Sequence, residues 1–257
     1  MKINFFDANV CFGKPIKETY KPAGSAGELL SKLNSAGIEK ALVWYVGQYE
    51  HSPVEGNRIL SEMISPYPEL FGTWAILPPQ TKELPPQKEF FARMKKEKIF
   101  ALRAFPDSHR FLLNGVTFGK FLEEIVERHI PILLSMGSPG KESAGISWQA
   151  VYDFLEEFPD TTLVLCDLGS WGSDRYFRPL IEKYPNFYLE TSFLLQSGII
   201  ETFVRDYGAK RLLFGSGFPY RDFGGPMLQL LHADISDKDK IAIAGGNLSR
   251  IISKVKL

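Results

Sequence analysis

Eight short runs rich in aliphatic, β-branched and aromatic residues, each followed by a segment of helical length and periodicity, set the strongest limit on what this chain can fold into. The runs are residues 3–7, 41–46, 71–77, 100–105, 130–136, 163–168, 187–192 and 211–215. Helical segments follow at 27–36, 53–64, 87–98, 118–129, 148–158, 175–183 and 199–207, with 226–232, 238–244 and a closing 248–255 after the last run. Strands alternating with helices predict a parallel sheet, because a parallel connection must cross over and a helix is the usual crossover. Eight such units predict closure into an α/β fold, a (β/α)8 barrel, which takes about 250 residues; this chain has 257. The competing arrangement is an open doubly wound sheet, which wants a glycine-rich phosphate turn after an early strand. The first run leads instead into Asp7-Ala8-Asn9-Val10-Cys11-Phe12-Gly13. The paired prolines Pro78-Pro79 and Pro85-Pro86 read as a βα loop, since the alternation resumes behind them. One barrel spanning 1–257 is expected.

Composition narrows the partners. With 30 basic residues against 30 acidic ones, the chain has no electrostatic reason to bind nucleic acid or an anionic membrane. A small molecule or another protein is the expected partner, and self-association stays open. Two cysteines, Cys11 and Cys166, make no disulfide framework and suit a reducing compartment. The apolar run at the start is shorter than the roughly 7–15 residues of a secretory signal, and nothing approaches the ~20 residues of a membrane span. The expected location is the cytoplasm.

Barrel active sites sit at the C-terminal ends of the strands, and there the chain carries a series of motifs. They are Asp7-Ala8-Asn9-Val10-Cys11 at strand one, Asp167-Leu168-Gly169 at strand six, Phe214-Gly215-Ser216-Gly217-Phe218-Pro219 at strand eight and Gly245-Gly246-Asn247-Leu248 at the closing helix. In order and placement the series resembles the amidohydrolase-related family of metal-dependent hydrolases. That family reads Asp-x-His-x-His, His-Leu-Gly, Phe-Gly-Ser-Asp-Tyr-Pro and Gly-Gly-Asn-Ala at the same places. Its metal ligands are two histidines on strand one, one each on strands five and six, and an aspartate on strand eight. The matching positions here hold Asn9, Cys11, Ser135, Asp167 and Gly217, with Arg103 near a bridging position on strand four. Asn9 and Ser135 are poor zinc ligands, and Gly217 has no side chain to offer.

The resemblance implies a hydrolase, or a decarboxylase, of a small carboxylate-bearing compound, acting at the mouth without the usual metal and with no cofactor expected. Asp167 would activate water, Arg103 would clamp the substrate carboxylate, and Ser135 or Ser216 would donate to the developing oxyanion. An adjacent guanidinium weakens a carboxylate as a base, which counts against this scheme. The substrate side would include Asn9, Cys11, His51, His109, Glu190 and Arg221. A non-catalytic descendant that binds a small anionic ligand or a partner protein is the alternative. A third reading is an atypical zinc site from Cys11, Asp167 and a loop histidine such as His51.

Each residue also has a structural reading. Cys11 and Cys166 fit as small buried thiols. His51 and His109 fit as solvated loop residues, and His129 and His232 lie away from the mouth. Glu190 sits at the rim or pairs outward. Arg221 with Asp222 fits a surface ion pair. Trp44, Tyr45, Trp171 and Phe218 line a pocket or simply fill core. Period-two parity puts Leu163, Leu165 and Asp167 on one face, so that if Asp167 points into the barrel Cys166 points out to the helices. A carboxylate left in a barrel without a metal needs another counter-charge, so Arg103 is expected to pair with Asp167 or with Asp7, the latter on the face of Asn9 and Cys11.

Overall fold

Eight parallel strands follow one another in sequence order around a single sheet: β1 (Phe5–Phe12), β2 (Ile38–Tyr45), β3 (Leu70–Ala75), β4 (Ile99–Ala104), β5 (Ile132–Ser135), β6 (Leu163–Cys166), β7 (Phe187–Glu190) and β8 (Leu212–Leu213). The computed structural model describes residues 3–137, 145–168 and 173–257. Backbone bonds close the seam between the last strand and the first. Ala8 N–H donates to Phe214 O at 2.8 Å, Gly217 N–H to Asn9 O at 2.9 Å and Cys11 N–H to Phe218 O at 3.0 Å. The expected (β/α)8 barrel is the fold.

Alternating side chains divide the core into layers. Phe6, Ala8, Leu42, Ala101, Leu133, Val164, Cys166, Tyr188 and Leu213 fill the barrel, and Leu248, Ile251 and Ile252 of the closing helix (Asn247–Ile252) join the same cluster. The alternate residues, among them Val43, Leu102, Leu134, Leu163 and Leu165, pack outward against the helices. Helices begin where the sequence supplies caps. Ser25 accepts Glu28 N–H at the start of Ala26–Ala36, which ends on Gly37 at φ 80. Ser52 accepts Glu55 N–H ahead of Pro53–Ile64, with proline in its first turn.

The first strand is longer than expected and runs through the motif instead of stopping before it. It also carries a bulge. Asp7 pairs with Ala41 but Val10 with Val43, one residue extra on β1. Phe6 and Ala8 face the interior, Val10 and Phe12 the helix layer. The bulge resets the parity between them, so Asp7 does not share a face with Asn9 and Cys11 as anticipated. The parity expected for β6 is also corrected. Leu163 and Leu165 point to the helices, and Cys166 points into the barrel. Asp167 still turns inward because it leaves the strand in a left-handed conformation, φ 56, which aspartate tolerates better than most residues.

The closing motif has a structural explanation. Asp237–Ile241, a π-helical turn Ala242–Gly246 and Asn247–Ile252 run on continuously, where two separate helices were expected. A side chain on Gly245 would meet Asn4 O of the chain entering β1 at 2.9 Å, so only glycine permits that approach. Asn247 Nδ2 donates to Ala209 O and Leu212 O at 2.8 and 2.9 Å, holding the start of β8.

Candidate active site at the C-terminal mouth

Arg103, from the end of β4, is the hub of the mouth. Its Nη1 donates to Asn9 Oδ1 at 2.9 Å, and its Nη2 donates to Ser135 Oγ and to Asp167 Oδ2, both at 2.9 Å. The guanidinium is 1% exposed. Asn9, brought inward by the bulge, donates from Nδ2 to Asp167 Oδ1 at 3.0 Å and to Glu190 Oε1 at 3.2 Å. Glu190 is therefore a member of the cluster, not a rim residue. Its Oε1 also accepts Asp167 N–H at 3.1 Å and the Ser192 hydroxyl at 2.6 Å, and its Oε2 accepts Ser192 N–H at 2.8 Å. Burial first, and the Asp167 charge second, push the Glu190 pKa up against the pull of these bonds. A side chain on Gly215 would collide with the Glu190 carboxylate, which accounts for a glycine at that place.

Asp7 forms a second, separate station on the seam. Its Oδ1 accepts Asn9 N–H and Ser216 N–H, both at 3.0 Å. The Ser216 hydroxyl lies beside the carboxylate and accepts Phe218 N–H at 3.2 Å. Oδ2 finds no donor in bonding geometry. Burial raises the Asp7 pKa to about 7, against those bonds. Ser216 thus serves the seam and does not face Arg103 as an oxyanion donor.

An aromatic layer covers the cluster. The Arg103 guanidinium stacks over the Trp44 ring at 4.7 Å and the Phe105 ring at 5.3 Å. Trp44 in turn meets Tyr49, Phe105 and Tyr220, and Cys11 belongs to this layer. The cover is held by a buried pair that nothing in the sequence singles out. Gln48 Nε2 donates to Asn57 Oδ1 and Thr73 O, and Gln48 Oε1 accepts Tyr45 N–H. Asn57 Nδ2 donates to Ala75 O. Two amides spaced nine apart across a loop and a helix carry no sequence signature.

The other candidates lie away from the hub. His51 is exposed at the end of the short helix Val46–Glu50. His109 packs on Phe105 and Phe111, with burial pushing its pKa down and neither ring nitrogen in bonding geometry. Arg221 Nη1 donates to Ser192 O at 2.6 Å, behind the cluster, and Asp222 caps Gly225 N–H in place of the anticipated ion pair. Trp171 and Gly169 lie outside the described residues. Tyr45 packs on Phe12, and Phe218 stacks on Phe223.

The donor chemistry does not fit a divalent cation. Asn9 Oδ1, Ser135 Oγ and Asp167 Oδ2 all accept from one guanidinium. A metal sharing those oxygens would stand against a fixed positive charge. Among the described residues no group of three His, Cys, Asp or Glu is gathered in a metal-holding arrangement.

A family model described as Amidohydrolase matches residues 43–251. No curated protein matches the chain. Solved structures do, over nearly their whole length. A TIM-barrel protein from Bordetella bronchiseptica is 17% identical, with a TM-score of 0.71 and 98% of this chain and 99% of that one covered. A 5-carboxyvanillate decarboxylase from Sphingomonas paucimobilis is 13% identical, with a TM-score of 0.71 and coverage of 99% and 100%. A putative 2-pyrone-4,6-dicarboxylic acid hydrolase from Pseudomonas putida is 15% identical, with a TM-score of 0.69 and 99% of each chain covered. At such identities the likeness speaks for the fold, while the family model, spanning most of the sequence, makes this chain a member of the amidohydrolase family.

Proposed function

We propose that this protein is a family member that has exchanged a metal-dependent centre for an internal guanidinium, and that this closed centre neither hydrolyses nor decarboxylates a small carboxylate. The observation that carries the reading is the geometry of Arg103. Its Nη1 and Nη2 satisfy Asn9, Ser135 and Asp167 beneath Trp44 and Phe105. A clamp for a substrate carboxylate needs those N–H groups free, and a general base needs a lone pair aimed at water. Here both Asp167 oxygens already accept, from Asn9 and from Arg103.

The test is an assay with the compounds named for the neighbouring structures, 5-carboxyvanillate and 2-pyrone-4,6-dicarboxylate, with and without added manganese or zinc. Metal content is measured on untagged protein. No turnover and well under one equivalent of metal are expected. Turnover that depends on added metal, or stoichiometric metal in the purified protein, overturns the proposal.

A second reading, a metal-independent hydrolase with Asp167 as base and Ser135 as oxyanion donor, draws on one observation. At 8% exposure Asp167 is the most accessible member of the cluster. It requires the Arg103 pair to open during each turnover. Metal-free turnover of the lactone, abolished by Asp167→Asn, would establish it.

A further inference from the structure

Beside the covered mouth lies an open cleft of about 730 Å³, within the usual range for a small-molecule site. The segment that follows β1, the helix Ala26–Ala36 and the segment that follows β8 form its walls. The lining is unusual for a chain with no net charge. Lys17, Lys21, Lys32 and Arg221 face it, against Glu18 and Asp222. Asp222 is engaged with the Gly225 N–H at 2.9 Å, and Lys32 is held by Glu28 at 3.4 Å. Lys21 lies over the Tyr20 ring, and Arg221 is half-buried with its Cζ over Phe193. No carboxylate of the lining is paired with either of these two cations in the ion pairs among the described residues.

Two further observations point to a ligand. Thr19 belongs to this lining, and its hydroxyl oxygen is buried without a hydrogen-bond partner among the described residues. Buried polar atoms of this kind are normally satisfied by protein, water or ligand. The cleft also presents aromatic surface. Phe218 and Phe223 stack at 4.5 Å and 11° within its wall, and Tyr20 is 82% exposed. Positive charge, a hydroxyl donor and ring faces in one cavity match an oxyanion attached to a planar or short apolar group.

We infer that this cleft is a binding site for a small organic oxyanion, a phosphate or carboxylate carried on a ring, with Lys21 and Arg221 taking the charge and Thr19 donating a hydroxyl hydrogen bond. The site is separate from the Arg103 cluster and does not depend on whether that centre is catalytic.

Isothermal titration of the whole protein with phenyl phosphate, benzoate and inorganic phosphate tests it. Phenyl phosphate or benzoate should bind one to one, more tightly than inorganic phosphate, and more weakly as salt is raised. Lys21→Glu, at an exposed position, should weaken binding tenfold or more while leaving the melting temperature unchanged. Thr19→Val should weaken it several-fold. Arg221→Gln is read only alongside a thermal melt, because Arg221 also anchors Ser192. Arg103→Met, titrated at a temperature where a thermal melt shows it folded, should leave the affinity within twofold, which separates this site from the closed centre. Failure of both ring-bearing anions to bind at millimolar concentration, or binding indifferent to Lys21→Glu and Thr19→Val, overturns the inference. Loss of binding in Arg103→Met with Lys21→Glu silent also overturns it, by returning the ligand to the mouth.

Discussion

Arg103 Nη2 lies 2.9 Å from Asp167 Oδ2, with the two side chains 1% and 5% exposed. The residues come from β4 and the end of β6, with Ser135 of β5 between them and bonded to the same Nη2. The anticipated pairing with Asp167 is therefore direct, and Asp7, the other acceptor considered, takes its bonds from the Asn9 and Ser216 N–H groups instead. A carboxylate excluded from water needs a compensating cation, and the chain supplies one covalently.

Removing the guanidinium leaves Asp167 buried without its cation and Asn9 and Ser135 without a donor. Breaking a buried pair in this way costs about 3–5 kcal/mol. Arg103→Met is expected to lower stability by that amount in denaturant unfolding at neutral pH. The loss should shrink when Asp167→Asn is added, since no stranded charge remains. A melting temperature equal to the parent's would remove the pair from any account of this barrel's stability.

Asp7 gives the protein a pH dependence of defined sign. Its carboxyl is raised from 3.8 to about 7 in the fold, so between about pH 4 and 7 the native state holds a proton that the unfolded chain has released. Stability is fully present on the acid side and falls as pH rises through this window. The full difference amounts to up to about 4 kcal/mol. The raised Glu190 acts in the same direction. Asp7→Asn should be more stable than the parent at pH 8 and should flatten most of the slope between pH 5 and 8, because the amide oxygen still accepts from Asn9 and Ser216. A slope unchanged by the substitution rules out Asp7 as its source.

The barrel was legible because it is written in periodicity, and all eight strands lie where the apolar runs put them, with ends that differ by a few residues. The hub was legible in part. Arg103 and Asp167 could be paired from the cost of a lone buried charge. The faces could not be read so simply, because parity holds only along an unbroken strand. The bulge between Asp7 and Val10 and the left-handed Asp167 each break it, and neither has a glycine or proline to announce it. Glu190 stays open in the sequence for another reason: the end of its strand is uncertain by a residue or two, and parity turns on that end. The aromatic cover was visible only as scattered rings, because Tyr49, Phe105 and Tyr220 come from the segments that follow three different strands, β2, β4 and β8, and meet Trp44 only in the folded chain.

Both cysteines should be inert in the native protein. Cys11 and Cys166 are fully buried, and burial pushes both thiols well above their usual pKa, outweighing the nearby Arg103 charge. A thiol reacts as its thiolate and needs access. A disulfide reagent at pH 8 should therefore modify neither residue in the folded state and both after denaturation. Rapid labelling of Cys11 in native protein would mean that the Trp44 cover opens readily, and would favour the hydrolase reading of the mouth.

Placing at position 9 the histidine that the motif resemblance implies there should not create a metal site. An imidazole there would place one ring nitrogen among groups organised around a cation, with Arg103 still fixed on Ser135 and Asp167. It would also remove the Asn9 Nδ2 bonds to Asp167 and Glu190, at about 1–3 kcal/mol for each buried group left unsatisfied. Asn9→His is thus expected to be less stable than the parent and to retain no zinc or manganese after exhaustive dialysis. Adding Arg103→Met takes away the fixed charge and leaves Asp167 and the new histidine as two donors facing the same space, with Glu190 close by. That double variant should take up zinc measurably by elemental analysis and gain thermal stability when zinc is added, where Asn9→His alone does not. An equivalent of metal bound by Asn9→His with Arg103 intact would show that the guanidinium does not hold the cation's place, and the account of this centre built on Arg103 would have to be abandoned.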